Sequence, residues 1–168
     1  MIEKEKRYYI KGDIPKDKVI SKKNIKQVYS NFNPDVRIRK TEQDGNNSFT
    51  HTVKYFINDN DREEIEQDIE EDSYNRIFNL LNKKPVNKDR YLIDIGNELI
   101  AEYDDFLDTG DKVVEVEFPN EDAMTNFEKP DWFGEEIAKG KMFNKQIFSL
   151  LNNQDVYSEL REKYGGEK

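Results

Sequence analysis

Along much of the chain, apolar and polar residues alternate one for one, the period of a β-strand whose two faces meet different surroundings. Val36-Arg37-Ile38-Arg39 sets both arginines on one face and the aliphatic residues on the other. From Ser48 to Ile57, Phe49, Val53, Tyr55 and Ile57 stand opposite Thr50, Thr52 and Lys54. Arg62, Glu64 and Glu66 share a face, with Ile65 and Ile69 behind them. Val113 to Phe118 is the plainest case, with Glu115 and Glu117 one way and Val114, Val116 and Phe118 the other. The opening run to Tyr9, Ile25 to Phe32, Lys88 to Ile93 and Leu99 to Phe106 bring the strand candidates to about eight. Turn signals separate them: Lys11-Gly12-Asp13-Ile14-Pro15, Gln43-Asp44-Gly45-Asn46-Asn47, Asn58-Asp59-Asn60-Asp61, Gly96-Asn97 and Asp108-Thr109-Gly110-Asp111. The Lys-rich stretch to Lys23 reads as exposed connection, and Trp132 to Ile137 as a bulky connection pivoting on Gly134.

A helical stripe of Tyr74, Ile77, Phe78, Leu80 and Leu81 predicts a helix from Glu71 to about Lys83, ended by Pro85. Asn120 caps a short helix to about Phe127, stopped by Pro130. Further helix is expected over Lys145 to Leu151 and Asp155 to Tyr164, with a frayed tail from Gly165. Short turns between strands make the sheet mostly antiparallel.

The polar faces carry more than solvated side chains. Like charges recur two residues apart: Glu3/Glu5, Arg37/Arg39, Glu64/Glu66, Lys88/Arg90, Glu102/Asp104 and Glu115/Glu117. Like neighbours on one sheet face cost energy unless a ligand or an oppositely charged strand offsets them. Closing the sheet with those faces inward does this, because acidic and basic strands then meet across a wet lumen. The expected fold is therefore α+β, mainly β: a closed eight-stranded antiparallel β-barrel with a polar, charged lumen and helices packed outside. One domain over 1–168 is expected from the length and the lack of a linker.

The formal charge of −9 argues against non-specific binding to nucleic acid or anionic membrane, yet a local Arg and Lys cluster can still hold an anion. With no cysteine there is no thiolate metal site and no thiol nucleophile. The charged start of the chain and the lack of a long apolar run predict a cytoplasmic protein. The basic set Arg37, Arg39, Lys54, Arg62, Lys88 and Arg90 suits a polyanion held through several oxygens. The acidic set suits hard, oxygen-seeking cations, Mg²⁺ or Mn²⁺. Metal and basic cradle in one cavity are what phosphoryl transfer requires.

The series Glu3-x-Glu5-x-Arg7, Arg37-x-Arg39, Thr52-x-Lys54, Arg62-x-Glu64-x-Glu66, Lys88-x-Arg90, Glu102-x-Asp104, Glu115-x-Glu117 and Trp132-x-Gly134-x-Glu136 resembles, in order, the motifs of CYTH-domain proteins, the triphosphate tunnel metalloenzymes. That resemblance implies an eight-stranded tunnel hydrolysing a small linear triphosphate, inorganic tripolyphosphate first and nucleoside or thiamine triphosphate next. It implies metal ligation by Glu3, Glu5, Glu115 and Glu117, and triphosphate binding by Arg37, Arg39, Lys54, Arg62, Lys88 and Arg90. Arg7, Glu66 and Asp104 would act beside them in catalysis.

Two stretches depart from the family pattern. Arg7 stands where the motif has Lys, and Arg does not readily give up a proton. Ile137-Ala138 and Met142-Phe143 replace a hydroxyl and a basic–aromatic pair, with Lys139 or Lys141 as substitutes. The alternatives are a CYTH-type adenylate cyclase and a non-catalytic polyphosphate- or nucleotide-binding module. The expected partner is the small triphosphate, without nucleic acid or membrane, and a homodimer is one assembly left open. His51, by strand parity, belongs outside the lumen, Trp132 and Phe133 belong to core or plug, and Asn58 to Asp61 is a turn rather than a calcium loop.

Overall fold

The computed structural model describes residues 2–31, 34–58 and 60–137. The helices expected beyond Lys145, and the departures at Ala138, Lys139, Lys141, Met142 and Phe143, lie outside them. In chain order the strands are β1 (Ile2–Ile10), β2 (Val19–Asn31), β3 (Asp35–Gln43), β4 (Asn46–Phe56), β5 (Asp61–Asp68), β6 (Val86–Asp94), β7 (Ile100–Phe106), β8 (Lys112–Phe118) and β9 (Phe133–Glu136). Helix α1 (Glu71–Leu81) follows β5, and α2 (Glu121–Thr125) follows β8. The sheet runs β5-β4-β3-β2-β6-β7-β8-β1, and β1 pairs back to β5. An eight-stranded antiparallel barrel is thereby closed.

Closure depends on how β1 divides one edge. Ile2 to Lys4 pair with β5, while Tyr8 and Ile10 further along pair with β9. The other edge pairs with β8 from Lys4 to Tyr9. Strand β9 is thus a ninth strand laid where β5 has left β1, not the connection expected at Trp132 to Ile137. Gly134 permits the approach, because a Cβ there would lie 3.1 Å from the Tyr9 carbonyl oxygen. The β3–β4 hairpin has two linking residues, Asp44 and Gly45, both at positive φ (52° and 80°), as a tight primed turn needs.

The apolar faces form the outer wall. Tyr8, Tyr103, Val114, Val116 and Phe118 pack under Met124 and Phe133, with Trp132 and Phe127 against them. On the far side, α1 lays Tyr74, Ile77, Phe78 and Leu81 over Val28, Ile38 and Phe49. Leu80 departs from the expected stripe and is 85% exposed. At α2 the cap is as expected, the Asn120 side chain accepting from the Ala123 amide. Strand β2 begins at Val19, so the Lys-rich segment is strand, not connection. Its last residues carry Lys23 inward, beside Arg90 in register.

Candidate functional site

Register decides which charges meet inside the barrel. Glu3 is opposite Arg62, Lys54 opposite Glu64, Arg90 opposite Asp104, and Arg7 opposite Glu115. Three pairings set like charges face to face: Glu5 with Glu117, Glu102 with Glu115, and Lys23 with Arg90. Each strand of the barrel contributes a polar inward residue, and ionic contacts link most of them into one network.

On β1, Glu5 is 4% exposed and receives Lys54 Nζ at 3.1 Å and Arg62 Nε at 3.1 Å. Lys54 also lies 3.3 Å from Glu3 and 4.0 Å from Glu64. Arg7 Nη2 donates to Glu115 Oε2 at 2.6 Å, with Nε at 3.2 Å from the same oxygen. Asp104 lies between two cations, accepting from Lys88 Nζ at 2.8 Å and from Arg90 Nε and Nη2 at 2.8 and 2.9 Å. Arg90 reaches Glu102 as well, at 3.0 Å. The contacts on β2 and β3 are different. Arg39 donates from Nε (2.9 Å) and Nη2 (2.6 Å) to the amide oxygen of Gln27. Arg37 Nη2 stands 3.9 Å from Glu64, and its buried Nε has no hydrogen-bond partner among the described residues.

Carboxylate oxygens of Glu3, Glu5 and Glu117 come within 4.8 Å of one another, as do those of Glu102, Glu115 and Glu117. Crowding of this kind shifts protonation. Burial first, then the Glu115 charge, pushes Glu5 up to about 7, although Lys54 pulls it down. Glu117, exposed at its end of β8, is pushed up to about 8 by partial desolvation and by Glu102, Glu3, Glu115 and Glu5. Burial also raises Glu3. Asp104 goes the other way: burial would raise it, but Arg90 and Lys88 hold it well below the carboxylate range. Lys88 falls to about 7, since burial with Arg90 and Arg39 outweighs its bond to Asp104.

The carboxylates fit a divalent cation. All donors are carboxylate oxygens, the ligand class of hard ions, and the buried Glu3 Oε2 has the Lys54 ammonium beside it at 3.3 Å. A dication between these groups would offset the burial and the repulsion that raise them.

Of the residues singled out from sequence, Glu3, Glu5, Arg7, Arg37, Lys54, Arg62, Lys88, Arg90, Asp104, Glu115 and Glu117 are joined through the contacts above. Arg39 joins through its neighbours Arg37 and Arg90, whose charges it feels. Glu66 is exposed, accepts from Thr52 Oγ1 at 3.2 Å, and stands apart from both carboxylate groups. Lys23, Gln27, Glu64 and Glu102 are further participants. The parity of β2, carried two residues back from Ile25, would have found Lys23. His51 pairs with Ile38 and Gln67 on the outer face. Asn58 Oδ1 accepts from the Asn60 and Asp61 amides, as in a turn. A cavity of about 670 Å³ outside the wall, lined by Tyr74, Phe78, Lys26 and Lys40 among others, holds none of the bore's carboxylates.

The barrel fold has solved counterparts. The crystal structure of the inorganic triphosphatase NE1496 superposes with a TM-score of 0.57 at 24% identity, covering 88% of this chain and 94% of that one. The PH1819 protein from Pyrococcus horikoshii OT3 gives 0.54 at 22% identity, over 73% and 82%. The chain has the fold of the CYTH, or triphosphate tunnel, family. A curated relative, the inorganic triphosphatase of Nitrosomonas europaea, is 31% identical over 91 residues, 53% of this chain. The match spans 60% of that relative's length. No protein-family model matches. Among the described residues, no helix of this tunnel protein is long and apolar enough to cross a membrane.

Proposed function

We propose that the protein is a divalent-metal-dependent triphosphatase that hydrolyses a small linear triphosphate, inorganic tripolyphosphate first, inside its tunnel. One observation carries the reading: a closed bore holds a carboxylate cluster and an arginine cluster side by side. The carboxylate cluster is built for a cation and the arginine cluster for an anion. The similarity to an inorganic triphosphatase supports it.

Glu3, Glu5 and Glu117, with Glu115 beside them, would hold Mg²⁺ or Mn²⁺. The ion's chemistry is to neutralise phosphoryl charge and to make water a nucleophile at neutral pH. The chain's own groups supply the rest. Arg37 and Arg39 hold phosphate oxygens, with guanidinium N–H groups to spare. Lys54, Arg62, Lys88 and Arg90 line the same path and stabilise charge developing on equatorial and leaving oxygens. Asp104 fixes Lys88 and Arg90 in place, and Arg7 fixes Glu115. Arg7 holds its proton at any working pH, so its part is orientation and charge rather than proton transfer.

The test offers tripolyphosphate, ATP and thiamine triphosphate with Mg²⁺ or Mn²⁺, and follows phosphate, pyrophosphate and cyclic AMP. Phosphate released from tripolyphosphate, lost on chelation and in Glu117→Gln, is the expected result. Pyrophosphate with cyclic AMP from ATP would replace the reading with a cyclase. Tight binding without turnover would replace it with a binding module.

A further inference from the structure

Arg39 is gripped in an unusual way for a buried guanidinium. Gln27, 3% exposed, accepts from both Nε and Nη2 of Arg39 through its single amide oxygen, where a carboxylate would ordinarily sit. The amide cannot turn over, because its Nε2 donates to the Tyr29 hydroxyl at 3.2 Å and would otherwise face the guanidinium. In register Arg39 has Gln27 on one side and Thr50 on the other, both neutral. Arg90, by contrast, faces the carboxylate of Asp104. Two N–H groups of Arg39 are taken by Gln27 and three remain, on Nη1 and Nη2.

We propose that Gln27 is a positioning residue: it fixes Arg39 in the bore while leaving its full charge for the incoming anion. The inference rests on the triphosphate reading of the same tunnel. Glutamate has the same length and would make the same two bonds, so shape alone gives no reason for an amide here. Charge does. A carboxylate at position 27 would neutralise Arg39, whereas the amide keeps a cation cluster whose mutual repulsion an anion relieves. Burial and the charges of Arg37 and Arg90 press the Arg39 guanidinium down to about 9, as such a cluster requires.

The test compares wild type, Gln27→Glu and Gln27→Ala. Tripolyphosphate is titrated calorimetrically with chelator present, so that nothing turns over, and KM and kcat are then measured with Mg²⁺. Gln27→Glu is expected to keep or raise the thermal midpoint while weakening binding about tenfold or more, mainly in KM. Gln27→Ala should weaken binding less. A merely structural role predicts the reverse order, since Glu preserves the bonds and Ala removes them. The proposal is overturned if Gln27→Glu binds like wild type or binds more tightly than Gln27→Ala. Wild type that binds no tripolyphosphate would sink the triphosphate reading itself, and this inference with it.

Discussion

Arg90 and Arg39 project into the same bore and differ in what holds them. Arg90 forks onto Asp104 and touches Glu102, as Lys88 also binds Asp104, Arg7 binds Glu115 and Lys54 binds Glu3 and Glu5. Arg39 rests on a neutral amide, Arg37 stands 3.9 Å from its nearest carboxylate, and Lys23 forms no ion pair among the described residues. In the first region carboxylates of the bore fix the cations in place. The second, on β2 and β3, keeps its charge. A tunnel of mixed sign thereby gains direction: cations without a close carboxylate gather on β2 and β3, and crowded carboxylates on β1 and β8.

The largest effect expected from this difference is on stability, in the neutralised region. Asp104→Ala leaves Lys88 and Arg90 buried without their shared partner, and removing one member of a buried pair costs about 3–5 kcal/mol. At about 2–4 °C per kcal/mol for a domain of this size, the thermal midpoint should fall by about 6–20 °C. Circular dichroism melting checks this, and an unchanged midpoint would erase the distinction between the two regions.

On β3 the expectation reverses. Arg39→Ala removes a cation that carries no ion pair among the described residues and is repelled by Arg37 and Arg90, so the midpoint should hold or rise. Its effect is on binding instead: hydrogen bonds to charged groups are worth about 1.5–3 kcal/mol, or about ten- to a hundredfold in KM for tripolyphosphate. Steady-state kinetics on the folded variant decides it. A fall in midpoint as deep as that of Asp104→Ala, with KM unmoved, would show that Arg39 is scaffold too.

Much of this was readable before any coordinates. Alternation with paired like charges required an inward charged face, and that face, repeated on strand after strand, required closure. Two failures share a physical origin. A lysine-rich segment such as Val19 to Lys23 reads as exposed connection because such segments normally are solvated, yet in a polar bore an inward lysine is at home. The β9 segment reads as a connection because Phe133 to Glu136 is too short to show a period, and its pairing with Tyr8 and Ile10 is a tertiary matter. Among site residues, Gln27 escaped because glutamine advertises no charge, and its part emerges only when register places it beside Arg39. Glu66 shares its face with Arg62 and Glu64 and bonds the buried Thr52, yet it is exposed, a degree of burial that alternation alone does not report.

The smallest effect expected is a pH dependence, and it sharpens the contrast within the carboxylates themselves. Asp104 and Glu115 are held low by their cations, so their contribution to stability is present above the ordinary carboxylate range and is lost only as pH falls below it. Glu3, Glu5 and Glu117 are raised, the last two to about 7 and about 8. Between their unfolded value of 4.5 and about 7, the folded protein holds protons that the unfolded chain has released. Stability of the chelated protein should therefore fall as pH rises from 5 to 7. Lys88, lowered to about 7, contributes the opposite slope only above that pH and leaves the window clear. Added Mg²⁺ competes with those protons, so its stabilisation should be larger at pH 7 than at pH 5. Melting curves at the two pH values, with chelator and with Mg²⁺, measure both slopes. Glu117→Gln should flatten both, and a chelated midpoint that instead climbs from pH 5 to 7 would mean that the carboxylates of β1 and β8 are as well neutralised as Asp104.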